Sequence, residues 1–301
     1  MKLTFLGTGA MVPTKDRNVQ SIYLEYNGEG ILIDCGEGTQ RQMNIAGINR
    51  LKVKKILITH WHGDHVAGLI GLIQTLGNTE EPGTVQLYGP KGTKTYLNHL
   101  LNSCSFDLRL HIEVKEITPK GDEPLTFYEN SRYRLQAANL KHSILCLGYA
   151  FVEKDQRKIS MAKAKKLGLK EGPLIGKLQR GEAVLLKQKR ITADMVSSIK
   201  KGKKLSIVLD TEPCTGMHNI ARDADLFIAE ATYESSLDEK AEQYKHLTAQ
   251  VTAQVASQEN VKKLILTHFS QRYKTIEEIA ADAKKVFPQT TCAYDFMQVK
   301  L

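Results

Sequence analysis

The chain has 301 residues, 42% hydrophobic and 25% charged, with a formal net charge of +9. That balance is ordinary for a folded domain, and no apolar run approaches the roughly 18–20 residues that span a bilayer, so no membrane-spanning helix is expected. Five scattered cysteines (Cys35, Cys104, Cys146, Cys214, Cys292) form no C-x-x-C pair, so neither a thiolate zinc site nor a disulfide partner is expected.

In chain order, KLTFLG (2–7), SIYLEY (21–26) and GILIDCG (30–36) read as strands. Asn27-Gly28-Glu29-Gly30 is a hairpin turn signal between the last two. A short helix is expected over 39–46. The β-branched run VKKILIT (53–59) reads as a buried strand, and HVAGLIGLIQTL, starting at His65, as a helix. TVQLYG (84–89) and a helix over 92–101 follow, then an expected β-meander over 110–152. The alternation resumes with LSIVLD (205–210), LFIAEA (226–231) and KKLILT (262–267), each with flanking helices. Two such halves fit an α/β, four-layer αββα sandwich. The N-terminus enters its strand directly and is too short in its apolar part for a signal peptide, so cytoplasmic residence is the simplest expectation.

One segment breaks this pattern. Residues 153–204 hold sixteen Lys/Arg against five Asp/Glu, or +11, which leaves about −2 for the rest of the chain. Lys/Arg clusters gain affinity for nucleic acids by releasing phosphate counterions, so a polyanion-binding appendage is favoured over a merely solvated surface. Its few apolar residues predict an extruded hairpin or helix pair without a core of its own, turned at Gly172-Pro173. The expected organisation is one domain over 1–301 carrying this basic insert.

The densest chemistry lies in ILITHWHGDH, where His60, His62, Asp64 and His65 fall within six residues. Histidine is a common ligand for divalent metals, and three with a carboxylate at this spacing can hold two ions. They stand where a strand gives way to a helix, at the carboxyl edge of a sheet, where α/β proteins place their sites. His142, Asp210 and His268 each close or follow an expected strand at the same edge.

This H-x-H-x-D-H run resembles the hallmark of the metallo-β-lactamase superfamily. Within it, the chain is similar to the ribonuclease Z family, tRNA 3′-processing endonucleases, over nearly its whole length. Pro13-Thr14-Lys15-Asp16-Arg17-Asn18 looks like that family's P-x-K-x-R-N loop, and Gly7-Thr8-Gly9 and Asp34-Cys35-Gly36-Glu37 like its opening turns. Glu230-Ala231-Thr232 followed by His246 resembles its E-A-T segment and histidine.

The resemblance implies the metallo-β-lactamase sandwich and two zinc ions; manganese or iron also suits such ligands. It gives one ion His60, His62, His142 and Asp210, and the other Asp64, His65, His268 and the same Asp210 as bridge. Asp64 is also placed to accept a proton. His246 would protonate the leaving oxygen, with Glu230 orienting it. Lys15, Arg17 and Asn18 would contact phosphates or bases beside the cut, Arg17 being the better suited to a bidentate contact. The basic insert resembles the family's flexible arm, whose G-P motif corresponds to Gly172 and Pro173 and which contacts the tRNA body. The implied partners are precursor tRNA and a second copy in a homodimer.

Two positions depart from the family pattern: Leu209 stands where glycine commonly precedes the bridging aspartate, and Ala229 where histidine often precedes E-A-T. Neither replaces a ligand. His99 and His111 are expected to be structural and His218 to lie at the surface. A thioester hydrolase of the glyoxalase II type shares H-x-H-x-D-H but has no reason to carry the basic insert or the P-x-K-x-R-N loop. A non-catalytic RNA-binding or metal-binding protein would not need the complete ligand set.

Overall fold

Apolar and β-branched runs pair into two seven-stranded sheets in the computed structural model, which describes residues 1–301. The first runs, in spatial order, Gln298–Lys300, Lys2–Gly7, Ser21–Tyr26, Glu29–Ile33, Val53–Leu57, Thr84–Pro90, His111–Ile117. The second runs Thr290–Cys292, Leu264–Thr267, Leu226–Glu230, Lys204–Val208, Cys146–Glu153, Tyr133–Leu140, Leu125–Glu129. Each sheet contains four neighbouring parallel strands. Parallel strands need crossover connections and burial on both faces, which is why they read as near-continuous apolar runs.

The sheets face each other. Tyr149 Oη donates to the Ile58 carbonyl (2.6 Å), the Leu147 amide donates to the Thr59 carbonyl (2.9 Å), and the Tyr88 and Phe127 rings meet at 5.0 Å. On the first sheet's other face, Met43, Leu69, Leu72, Ile73, Leu76 and Leu97 from three helices close a core with Leu32, Ile56 and Leu87. Helices Thr215–Ala221, Ala249–Gln258 and Glu277–Lys284 pack on the second. The order is thus helices, sheet, sheet, helices. No helix is long and apolar enough to cross a membrane.

Three details differ from the sequence expectation. Residues 110–152 are not one meander: His111–Ile117 pairs in parallel with Thr84–Pro90 in the first sheet, while the later strands join the second. The intervening TPKGDEP, with two prolines, carries the chain across instead of turning it back. The helix after the histidines is two helices, Gly63–Val66 and Leu69–Gly77. At the break the Gly68 amide donates to the Cys35 carbonyl (2.9 Å), and a Cβ there would sit 2.1 Å from the Gly36 oxygen, so only glycine fits. Finally, the strands before Asp34 and Asp210 stop short of the expected ends, and these two residues and His268 adopt left-handed φ angles of 55°, 41° and 58°. Non-glycine residues rarely adopt such angles, and here they follow the carboxyl ends of strands in both sheets, a placement that points to a functional site.

Residues 129–134 and 152–203 form a second compact unit. Within it, Gln156–Ile159 and Ser197–Lys200 form an antiparallel pair. The expectation that it has no core is corrected: Ala164, Leu169, Leu178, Val184, Ile191, Ala193 and Val196 are buried together. Three short helices (161–166, 173–179 and 193–196), a hairpin and the loop residue Leu169 each contribute one or two of these residues, a convergence that no linear run displays. Gly172 and Pro173 are exposed and begin the helix Pro173–Gln179, with proline at the first helical position, where its missing N–H costs nothing.

Candidate metal centre

All the distal histidines and aspartates converge. His60, His62, His142 and Asp210 bring their ligand atoms within 4.8 Å of one another, and so do Asp64, His65 and His268. Asp210 stands between the two groups. Its Oδ2 lies 3.6 Å from His60 Nε2 and 3.9 Å from His142 Nε2, while its Oδ1 lies 3.2 Å from His268 Nε2 and 3.5 Å from His65 Nε2. Buried Oδ1 accepts no hydrogen bond.

The outward-facing nitrogens are pinned. His65 Nδ1 is 2.7 Å from Asp34 Oδ2, His142 Nδ1 is 3.0 Å from the Lys245 carbonyl, and His60 Nδ1 and His268 Nδ1 are each 3.1 Å from a threonine hydroxyl. Each of these rings therefore presents Nε2 to the centre, an arrangement typical of metal-bound histidine. His62 instead turns Nδ1 inward, 3.0 Å from His60 Nε2 and 3.3 Å from His142 Nε2.

The residues fit divalent cations. Tetrahedral zinc with bonds of about 2.0–2.1 Å puts its ligand atoms about 3.3 Å apart, and His65 Nε2 and His268 Nε2 stand 3.3 Å apart. With both Nδ1 atoms donating outward, two lone pairs face each other there, and a cation resolves the conflict. Three carboxylates also favour positive charge at this place: although burial works against it, Asp210, Asp34 and Asp64 raise His65 well above its usual range. Burial, reinforced by the neighbouring imidazoles, holds His60 and His62 below theirs, and burial does the same to His142. Neutral imidazoles with free lone pairs are the ligating form.

A cleft of about 840 Å³ opens over this centre, lined by His62, Asp64, His142, Asp210, His246 and His268 among others. Asp64 accepts the Met11 amide (2.8 Å) and lies 3.4 Å from His65 Nε2. Burial would raise its carboxyl, but the charge of His65 and hydrogen bonds with His268 and His65 hold it far below the usual range. His246 Nδ1 is 3.0 Å from Glu230 Oε2, which leaves Nε2 for the cleft. Burial opposes its charge, yet Glu230 and Asp210 push His246 up to about 9. Burial likewise opposes Glu230's charge, and His246 brings that carboxyl down to about 2.

On the loop at 13–18, Arg17, expected to contact phosphate or base, donates one guanidinium nitrogen to the Tyr273 carbonyl. Asn18 is also committed: its side chain donates to the Glu37 carbonyl (2.8 Å) and its amide to Asp295 (2.8 Å). These two brace the loop and leave Lys15 as its exposed cation. Sequence reasoning does not find Asp34 and Lys245 as histidine partners, nor the threonines Thr59 and Thr232. The available signal is a carboxylate at a strand end, Asp34, level with the histidine cluster.

Two helix-flanked sheets with a histidine–aspartate centre at their carboxyl edge define a hydrolase of the metallo-β-lactamase fold. A family profile described as "Anti-Pycsar protein Apyc1" matches residues 1–143, a stretch that ends before Asp210, His246 and His268. Curated proteins named ribonuclease Z match throughout. That of Methanothermobacter thermautotrophicus is 43% identical over 304 residues, covering 100% of this chain and 97% of its own. That of Archaeoglobus fulgidus is 40% identical over 305 residues with the same coverage. Among solved structures, human tRNase Z, short form, superposes with a TM-score of 0.74 at 28% identity, covering 100% of this chain and 99% of its own. The chain belongs to the ribonuclease Z family, whose members are divalent-metal endonucleases.

Proposed function

We propose that this protein removes the 3′ trailer from precursor tRNA, cutting just after the discriminator nucleotide to leave a tRNA 3′-hydroxyl and a trailer 5′-phosphate. The observation that carries this reading is the pair of ligand clusters, with Asp210 standing between them, at the floor of an open cleft. Two zinc ions held there, one by His60, His62, His142 and Asp210 and the other by Asp64, His65, His268 and Asp210, would supply Lewis-acid charge and a water of lowered pKa. Asp64, at the cleft edge, takes the proton of the attacking water. Protonated His246, steadied by Glu230, gives its proton to the departing ribose 3′ oxygen. Lys15 contacts phosphate beside the cut.

The second unit would hold the body of the tRNA. Lys163, Lys165, Lys166, Lys170, Lys177, Lys187, Lys189 and Arg190 are all exposed, while Asp155, Glu182 and Asp194 are already paired with Lys201, Arg180 and Arg157. We extend the reading to a cytoplasmic homodimer in which one subunit's arm, including Gly172 and Pro173, supports tRNA cut by its partner. Side-by-side assays of precursor tRNA, a small phosphodiester and a thioester test the activity. Cleavage of the first two supports it, and turnover of the thioester alone refutes it.

A further inference from the structure

Thr59 and Thr232 are buried, and neither belongs to the ligand set. Thr59 Oγ1 donates to Asp34 Oδ2 at 2.7 Å and lies 3.1 Å from His60 Nδ1. Thr232 Oγ1 donates to Glu230 Oε2 at 2.5 Å and lies 3.1 Å from His268 Nδ1. A hydroxyl has one proton and two lone pairs. Since each threonine spends its proton on a carboxylate, it can only accept from the imidazole. The His268 carbonyl, 3.0 Å from Thr232 Oγ1, is a competing acceptor, but a charged oxygen at the shorter distance takes the proton.

We infer that Thr59 and Thr232 are positioning residues that fix the tautomers of His60 and His268, one in each cluster, so that both rings offer an Nε2 lone pair to a divalent cation. The device is a relay. The carboxylate orients the hydroxyl, the hydroxyl receives Nδ1–H, and the opposite nitrogen is left bare toward the centre. It complements the direct contacts of Asp34 with His65 and of Glu230 with His246, so each buried carboxylate steadies two histidines, one directly and one through a threonine. Valine has threonine's shape without its hydroxyl. Thr59→Val or Thr232→Val would strand an Nδ1–H without an acceptor and deprive a buried carboxylate of a donor, while serine keeps both functions.

This inference rests on the metal-centre reading, and the test separates the two. Zinc affinity of the full-length protein is measured by competition with a chromogenic chelator for the wild type, T59V, T232V, T59S and T232S. Proton-detected nitrogen spectra of the zinc-loaded wild type report which ring nitrogen carries the proton. Each valine variant should bind one of its two zinc ions about 10–100-fold more weakly, the usual cost of losing an outer partner of a metal-bound histidine. The serine variants should stay close to wild type, and His60 and His268 should be protonated on Nδ1. Valine variants that bind both ions as tightly as the wild type overturn the inference while leaving the metal centre intact. If a valine variant fails to fold, a proton on Nε2 of either histidine in the wild type overturns it instead. A wild type that binds no zinc overturns both readings.

Discussion

Asp34 and Glu230 occupy equivalent places in the two sheets. Each follows or ends a parallel strand, Glu29–Ile33 or Leu226–Glu230. Each accepts a main-chain amide beside a ligand: Asp34 Oδ1 from Thr59, next to His60 (2.8 Å), and Glu230 Oε1 from Thr211, next to Asp210 (2.7 Å). Each also faces a histidine Nδ1, at 2.7 Å for His65 and 3.0 Å for His246. The partners differ in role, since His65 faces the cation site and His246 the cleft. On the proposed reading, the same acceptor pattern would support a ligand in one half and a proton donor in the other.

Asp34→Asn keeps the shape but gives the carboxylate's place a donor where only donors point in. Zinc affinity should fall about 10–100-fold, as for other outer partners of metal-bound histidines. Chelator competition reads this directly, and unchanged affinity for both ions would show that Asp34 serves only the fold.

Glu230→Gln should act on His246 instead. The charge of Glu230 raises His246 above its ordinary value, so the imidazole keeps its proton to higher pH than it would alone. A general acid works below its pKa, so activity is lost as pH rises through that value. Removing the glutamate charge lowers the pKa, and the alkaline limb of the cleavage profile should move to lower pH. A limb that stays in place or moves up would contradict the pairing.

His246→Ala should depend on the leaving group. General-acid help is worth roughly 10²–10⁴-fold for a poor leaving group such as a ribose 3′ oxygen. A nitrophenolate departs readily unprotonated, so a nitrophenyl phosphodiester should be cut nearly as well as by the wild type. Asp64→Ala should abolish turnover of both substrates. Kinetics of each variant on the two substrates decide this, and equal losses for His246→Ala would make His246 structural or a ligand.

Much of this centre is legible in the chain because its ligands follow apolar strand runs whose period is plain. His60, Asp210 and His268 lie just beyond Leu57, Val208 and Thr267, the last residues of three strands. The relay through Thr59 and Thr232 is not legible. Asp34 and Thr59 are 25 residues apart, and only the parallel pairing of Ile33 with Leu57 brings them together. The Arg17 contact is hidden for a similar reason: its acceptor, the Tyr273 carbonyl, is 256 residues away. The core of the basic unit escapes a linear reading because it is assembled from single residues of several short elements.

That core also sets where the arm must be cut. Removing residues 158–188 would leave Ile191, Ala193 and Val196 exposed without their partners. Gln156 and Lys200 are paired, so replacing residues 156–200 with a short Gly-Ser linker removes that strand pair and the whole small core together, leaving only residues 129–134, 152–155 and 201–203 of the unit. Hydrolysis of a small phosphodiester should persist. Binding of precursor tRNA should weaken, with its log–log salt slope flattening by about 0.7–0.9 for each phosphate that is no longer neutralised. Equilibrium binding over a salt series checks this, and an unchanged affinity and slope would reduce the basic segment to a solubility feature.

Asp210 is the residue on which both clusters depend. On the proposed reading Asp210→Ala should release both ions together, because its two oxygens face the two clusters, Oδ2 toward His60 and His142 and Oδ1 toward His65 and His268. Elemental analysis of the purified variant against the wild type measures it, and two ions retained would remove the bridge.

The most direct measurement of the central claim is the pair of ends made from one precursor tRNA carrying a defined 3′ trailer, incubated with the zinc-loaded protein. The account predicts one cut after the discriminator nucleotide, giving a tRNA that ends in a 3′-hydroxyl and a trailer that begins with a 5′-phosphate. An intact precursor, or a tRNA ending in a 3′ or cyclic phosphate, would contradict it.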